Sequence, residues 1–279
     1  MSTKVAYLGP EGTYAEQATL HLAKIEKLSD PKLIPCIGIR SVIENASNNE
    51  CEAAVIPIEN SVEGGVTASL DGLWKYPDLF IRRELILPIR HCLLSNGTLN
   101  SISEVLSHPQ ALAQCSEWLS NNLKDALVLP TNSTAEAVRM VKGSKFRAAI
   151  AAKSFKNMED LNALAYPIND VPGNCTRFVL LRKEKNIANG GLASLAFSLP
   201  SNSPGSLLNV LNCVANLGLN MNRIESRPSK RELGEYVFFI DIDLQNSLGN
   251  EYEILLDNLK PICEHLADFG TYNSNELSL

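Results

Sequence analysis

The sequence predicts an α/β domain of catalytic size followed by a smaller α+β module. Three observations predict it. Short apolar runs alternate with helical patterns over the first two thirds of the chain, as in a sheet covered by helices. A polar stretch from Lys183 to Gly191 then interrupts the apolar periodicity and ends in Gly190-Gly191, as a linker does. Beyond it the pattern becomes β-α-β-β-α-β within about 80 residues, the order of a ferredoxin-like module.

In the first region, Val5–Leu8, Leu33–Ile37, Ala53–Ile58, Leu85–Leu94, Ala126–Leu129, Ala148–Ala151 and Phe178–Leu181 read as strands. Helix starts are marked by a Ser or Thr with Glu or Gln three residues later, so that side chains cap the free N–H groups. Thr13 with Glu16, Ser101 with Glu104, Ser107 with Gln110 and Ser133 with Glu136 fit that pattern. Strands feeding capped helices predict a doubly wound sheet that binds its ligand outside the strand ends. In the second region, Leu195, Phe197 and Leu199 alternate as in a half-buried strand. Pro204 to Leu217 carries one apolar stripe, with Gly218 as its stop. Met221–Arg227 and Glu235–Leu244 flank a polar turn; Glu251–Leu266 reads as a helix and Phe269–Tyr272 as a last strand.

Composition narrows the function. A net charge of −6 over 279 residues, with no Lys/Arg run longer than two, argues against nucleic acid or an anionic membrane as partner. It leaves a small anionic substrate open, because local fields can oppose the net charge. Seven scattered cysteines form no C-x-x-C pair, and four histidines never fall at metal-ligand spacing. Reduced thiols and no metal or cofactor are the expectation. No apolar run approaches the ~18 residues of a membrane span. Strand-like sequence from Lys4 leaves no room for a signal peptide, so a cytoplasmic protein is expected.

Six segments carry candidate chemistry, and each has a structural alternative. Gly9-Pro10-Glu11-Gly12-Thr13-Tyr14 lets backbone approach an anion at a helix N-terminus, or is a tight turn with Thr13 as N-cap. After the run Ile56-Pro57-Ile58-Glu59, Asn60 offers a donor and an acceptor to a carboxylate or keto group. Otherwise Asn60 and Ser61 only shape the turn before Gly64-Gly65. No histidine is near enough in sequence to activate Ser61 as a nucleophile. In Ser107-His108-Pro109-Gln110, with Gln114 a turn further on, His108 suits a general base; Ser107 as N-cap and Pro109 in the first turn explain the segment equally. Thr176, Arg177 and Phe178 in succession suit an aromatic acid, or form an ordinary loop-to-strand junction. Gly205-Ser206-Leu207 opens a helix with little side-chain cover, where free N–H groups could hold a carboxylate, while Glu225 in Ile224-Glu225-Ser226-Arg227-Pro228 could meet an ammonium. A capped helix and an edge strand would account for both.

The order and spacing of these segments resemble the prephenate dehydratase family. Gly-Pro-x-Gly-Thr-Tyr, Ile-Pro-Ile-Glu-Asn-Ser-x-Glu-Gly, Ser-His-Pro-Gln-Ala-Leu-x-Gln-Cys and Asn-x-Thr-Arg-Phe follow one another, and the small module is similar to an ACT domain. The resemblance runs from Lys4 to about Tyr272. It implies a two-lobed catalytic domain over 1–183, like type 2 periplasmic binding proteins, with crossovers near 76–85 and 166–176. A linker over 184–192 and an ACT regulatory domain over 193–272 would follow. It implies a carbon–oxygen lyase that turns prephenate into phenylpyruvate with loss of CO2 and water, without cofactor or metal. Phenylalanine would be the effector and the protein a homodimer or homotetramer. By resemblance Thr176 supplies the key hydroxyl, Phe178 lies in the pocket, and Asn60, Ser61, Ser107 and Gln114 contact substrate, with Thr13 on the cleft rim. Ser107 is expected to orient the Thr176 hydroxyl, and Arg177 to contact substrate. Gly205, Ser206, Leu207, Met221, Arg223, Ile224 and Glu225 contact the effector. Ser206 departs from the ACT pattern, which has Ala there. The same motifs suit the aminated substrate arogenate. Two lobes and an ACT domain also suit a non-catalytic amino-acid sensor, although the intact Asn174-x-Thr176-Arg177-Phe178 run weighs against it.

Overall fold

The computed structural model describes residues 2–155, 159–186, 190–200, 203–245 and 249–277. The first lobe starts from three parallel strands, β1 (Lys4–Leu8), β2 (Lys32–Cys36) and β3 (Ala53–Asn60), with β1 between the other two. β3 is buried along nearly its whole length, which is why it reads as a continuous apolar run. Its alternate residues serve two cores. Ala53 and Val55 pack with α1 (Tyr14–Ile25), whereas Ala54 and Ile56 pack with α2 (Ile39–Ser47) on the opposite face. The short β4 (Gly64–Gly65) folds back on β3 and leads to α3 (Thr67–Lys75). Two antiparallel strands complete this lobe: β11 (Cys175–Arg182) lies between β3 and β5 (Phe80–Pro88).

The second lobe is a five-stranded sheet. Its strands are β6 (His91–Ser95), β7 (Glu104–Ser107), β8 (Leu127–Pro130), β9 (Arg147–Ala152) and β10 (Asn162–Ala165). They run in the order β10-β6-β9-β7-β8, accompanied by α4 (Pro109–Ala113), α5 (Ser116–Asn122) and α6 (Thr134–Val141). The chain leaves the first lobe at Ile89-Arg90, between β5 and β6, and returns between β10 and β11. This corrects the crossover expected near 76–85. The apolar run Leu85–Leu94 hides a change of sheet, because the two strands meet with only two residues between them.

The last third contains β12 (Leu192–Ser198), α7 (Ser206–Asn216), β13 (Asn220–Pro228), β14 (Tyr236–Asp243), α8 (Glu251–Leu259) and β15 (His265–Glu276). Its strands lie in the order β13-β14-β12-β15. One face packs under α7 and α8 through Leu195, Phe197, Val210, Ile240 and Leu255. The other, through Ala196, Phe239, Phe269 and Tyr272, joins the core of the first lobe beside Leu70 and Leu73 of α3. The helix expected to reach Leu266 ends at Leu259. Pro261 lacks an N–H and restricts Lys260, so the helix stops there and His265 already belongs to a strand.

That last strand is longer than expected and fastens the molecule together. Residues 265–272 of β15 pair with β12, and Asn273–Glu276 then run parallel to β5, producing one ten-stranded sheet across both parts. Of the expected linker over 184–192, residues 187–189 lie outside the described residues. The flank before them is anchored: Asn186 Nδ2 donates to the Thr271 carbonyl at 2.6 Å, and Lys185 Nζ lies 2.6 Å from Asp268. No helix among the described residues is long and apolar enough to cross a membrane.

A chain stopped after Tyr272 loses the pairing of β15 with β5 and the apolar contact of Leu277. A few backbone bonds and one partly buried leucine contribute about 2–4 kcal/mol. Thermal unfolding should therefore shift down by roughly 5–10 °C. An unchanged midpoint would mean the fastening carries no stability.

Candidate active site

A cleft of about 530 Å³ opens between the lobes, a size that suits a small organic ligand. At its floor, β11 and β3 place Thr176 directly opposite Asn60. Directly opposed residues on antiparallel strands are close enough to interact, and here they do. Asn60 Nδ2 donates to Thr176 Oγ1 at 2.9 Å, to Asn174 Oδ1 at 2.9 Å and to the Cys175 carbonyl at 3.1 Å. Asn60 Oδ1 accepts from the backbone N–H groups of Val62 and Glu63 at 3.0 and 3.1 Å.

The network continues into the second lobe. Asn174 Nδ2 donates to Gln114 Oε1 at 2.9 Å, and His91 Nε2 lies 3.0 Å from the same oxygen. Gln114 Nε2 donates to Glu63 Oε1 at 3.2 Å. Asn60, His91, Asn174 and Thr176 are all buried, at 4–8% exposure. Burial lowers the His91 pKa, and the hydrogen bond with Gln114 offsets this only in part. Tyr14 stands edge-on to the His91 ring at 5.9 Å and donates its hydroxyl to the Arg90 carbonyl at 2.6 Å. Burial holds that phenol well above its ordinary range.

The upper walls are helix starts. Residues opening α1 (Thr13, Tyr14), α3 (Val66), α4 (His108, Gln110) and α6 (Ser133, Thr134) all face the cleft. The first-turn N–H groups of a helix lack intrahelical partners, and the dipole makes that end positive. No lysine or arginine is among the described residues lining the cleft. Helix starts and amide N–H groups are thus what the described lining offers an anion, with the Glu63 carboxylate opposing them.

Of the residues singled out in the sequence, Thr13, Asn60, Gln114, Thr176 and Phe178 meet in this cleft. Ser107 does not. It ends β7 fully buried, and its hydroxyl donates to the Ile150 carbonyl at 2.6 Å, so it cannot orient Thr176; Asn60 takes that place. The N-cap of α4 is His108, one residue later, whose Nδ1 accepts from the Gln110 N–H. Ser61 lies outside the cleft lining and joins the ends of β3 and β11. Its Oγ accepts from the Cys175 N–H at 3.0 Å, and its N–H donates to the Cys175 carbonyl at 2.9 Å.

Arg177 is on the wrong face for substrate. Side chains alternate along a strand, so Thr176 and Phe178 point into the cleft and Arg177 points behind it. Its guanidinium lies 2.6 Å from Glu84, 2.8 Å from Glu59 and 3.0 Å from Asp241 of β14. Burial lowers its pKa, but Asp241 and Glu84 outweigh that effect and the net direction is up.

The expected effector residues also divide. Gly205, with φ +89° as the N-cap of α7, lines a separate cavity of about 380 Å³ with Ser206 and Leu207. Glu235, Tyr236 and Phe238 form its other side. Met221, Arg223, Ile224 and Glu225 are not among its described lining. Glu225 turns toward the first lobe, pairs with Arg223, and fills the space a side chain on Gly65 would need. Met221 packs against the core beneath α7 and α8, and Ile224 faces solvent.

Sequence reading missed His91, Asn174 and Glu63. Asn174 carried a signal, two residues before Thr176 in the loop entering β11. His91 carried none, since its contact with Gln114 spans 23 positions.

Two α/β lobes around such a cleft, floored by a threonine hydroxyl and walled by helix starts, define a protein suited to a small organic anion. The comparisons narrow this further. The family model for prephenate dehydratase matches residues 5–186. The prephenate dehydratase of Methanocaldococcus jannaschii is 38% identical over 270 residues, 95% of each chain. Among solved structures, prephenate dehydratase from Arthrobacter aurescens in complex with L-Phe is 33% identical with a TM-score of 0.87, covering 97% of this chain and 90% of that one. GqqA, described as a novel type of quorum quenching acylase, is 25% identical with a TM-score of 0.82, covering 98% of both. The chain belongs to the prephenate dehydratase family.

Arg177→Ala should leave Glu84 buried without its cationic partner and Asp241 with only Arg223 at 3.9 Å and the Ser194 hydroxyl, a loss of about 3–5 kcal/mol. Urea unfolding should show that loss. Unchanged stability with a raised KM would return Arg177 to the substrate side.

Proposed function

We propose that this chain converts prephenate to phenylpyruvate, releasing CO2 and water, under control of phenylalanine bound to its C-terminal module. The observation that carries the reading is the Thr176 hydroxyl, whose oxygen accepts from Asn60. With a lone pair thus engaged, its own hydrogen is available to the leaving hydroxyl of the substrate. The bond from the ring to its carboxylate breaks and leaves its electron pair in the ring. The C–O bond opposite breaks in turn; the oxygen leaves as hydroxide stabilised by the Thr176 hydrogen bond and takes a proton from solvent to become water. Aromatisation drives the reaction, so the protein need only orient the dianion and stabilise charge on that oxygen. Phe178 and Pro57 offer apolar surface to the ring, and the helix starts offer N–H groups to the carboxylates. Acyl hydrolysis, the chemistry named for GqqA, has less support. Among the described cleft residues no Ser or Cys is hydrogen-bonded to a histidine, as an activated nucleophile would be.

The C-terminal module is read as a ferredoxin-like ACT domain over 193–272, following a linker over 184–192 and a catalytic domain over 1–183. Its β-α-β-β-α-β order, with both helices on one face, supports this. Among the described residues β13 ends the strand order, and that edge supports pairing into a homodimer or homotetramer. Phenylalanine would place its carboxylate at the N–H groups of Gly205–Leu207 and its ring beside Tyr236 and Phe238. Within one chain, Glu235 is the carboxylate on that cavity. Seven free cysteines suit a cytoplasmic setting.

Thr176→Ala should lower kcat roughly 10²–10³-fold with KM little changed, as for loss of one transition-state donor. Phenylpyruvate formation from prephenate, followed by ultraviolet absorbance without added metal or nucleotide, measures this. No turnover in the unaltered chain would overturn the proposed activity.

Regulation is best tested in the full-length chain, because stopping at Lys185 would strip β15 from β5 and Asp241 from Arg177. Ser206→Glu puts a carboxylate where the effector's should bind, while remaining favourable to a helix start. Its inhibition curve should move to about tenfold higher phenylalanine or more, given one repelled charged contact. An unmoved curve would place the effector elsewhere.

A further inference from the structure

The amide network in the cleft has one fixed reference, and every polarity in it follows from there. Backbone N–H groups can only donate, so Asn60 Oδ1, which receives those of Val62 and Glu63, is an acceptor. Asn60 Nδ2 is then the donor to Asn174 Oδ1, which makes Asn174 Nδ2 the donor to Gln114 Oε1. The opposite end agrees, since Gln114 Nε2 faces the Glu63 carboxylate. Turning the Gln114 amide over would set its NH2 against the Asn174 donor and its carbonyl against Glu63.

His91 is the remaining contact of that oxygen. Its Nε2 lies 3.0 Å from Gln114 Oε1 and must carry the hydrogen, because a bare nitrogen would oppose one lone pair to another. Its Nδ1 is buried without a partner among the described residues. A bare lone pair is tolerated there more readily than an orphaned N–H.

We infer that His91 is a positioning residue: its neutral Nε2–H tautomer adds a third restraint, beside Asn174 and Glu63, that holds the Gln114 amide with an N–H, rather than a carbonyl, facing an anionic group of the substrate. Gln114 has two amide hydrogens, and one is used on Glu63. The other is the donor presented to the cleft. The inference rests on the dianionic substrate proposed above.

The test compares kcat and KM for prephenate in the unaltered chain, His91→Leu and His91→Gln, together with imidazole ¹⁵N NMR of the unaltered chain. His91→Leu should raise KM about tenfold or more, the scale of one lost contact to a charged group, with kcat within about threefold. His91→Gln, whose Nε2 can stand where the imidazole Nε2 stood, should restore most of the affinity. NMR should show His91 neutral and protonated on Nε2. An Nδ1–H tautomer overturns the inference, as does an unchanged KM in His91→Leu or a loss confined to kcat. Should His91→Leu fail to fold, the tautomer and His91→Gln decide. Should the unaltered chain not turn over prephenate, the proposed activity fails, while the NMR result still decides the tautomer.

Discussion

The two-residue alternation of β11 is the constraint on which both halves of the molecule depend. It sets Thr176 and Phe178 in the cleft and Arg177 behind them, in the buried seam between the first lobe and the C-terminal module. Carboxylates on β3, β5 and β14 converge on this one guanidinium. Asp241 is held in turn by Ser194 at 2.6 Å, and Ser194 meets the Tyr272 hydroxyl at 2.7 Å. Burying such charges is costly unless they are paired and their hydrogen bonds satisfied, so the seam tolerates few arrangements. The backbone that presents the Thr176 hydroxyl to the cleft is therefore tied through its next residue to the C-terminal module.

Two further contacts run the same way. The α3 helix begins at the cleft with Val66 and buries Leu70 and Leu73 against Phe239 and Phe269 of the module. Gly65, also on the cleft, has no side chain and so leaves room for the Glu225 carboxylate. Together with β15, which crosses from one part of the sheet to the other, these contacts make the two parts share a core. The hydrophobic face and the charged seam of the C-terminal module are therefore both shared with the first lobe.

What could be read from the sequence was local. Thr13 and Ser133 are N-caps, each accepting from the N–H of the glutamate three residues on, because capping involves only neighbours in the chain. The same rule misplaced the start of α4 by one residue, since Ser107 finds a better partner across the sheet in Ile150. Arg177 was legible in principle. Strand periodicity alone separates it from Thr176 and Phe178, although a guanidinium beside them suits an anionic ligand. The pair Asn60–Thr176, separated by 116 positions, was visible only as two motifs whose contact depends on strand register. His91 belongs to the same class. Nothing in its neighbours on β6 announces a partner at the end of α4.

The absence of lysine and arginine from the described cleft lining bears on the proposed chemistry. In the step that makes CO2, negative charge must leave a carboxylate and pass through the ring to the departing oxygen. A cation fixed beside that carboxylate would stabilise the ground state more than the transition state, and tighter binding of that kind does not raise kcat. Helix starts and amide N–H groups hold an anion with less bias toward the carboxylate that must be lost. A neutral threonine at the opposite end favours the charge where it arrives. The guanidinium at position 177 serves this arrangement by standing one residue away, on the far side of the strand.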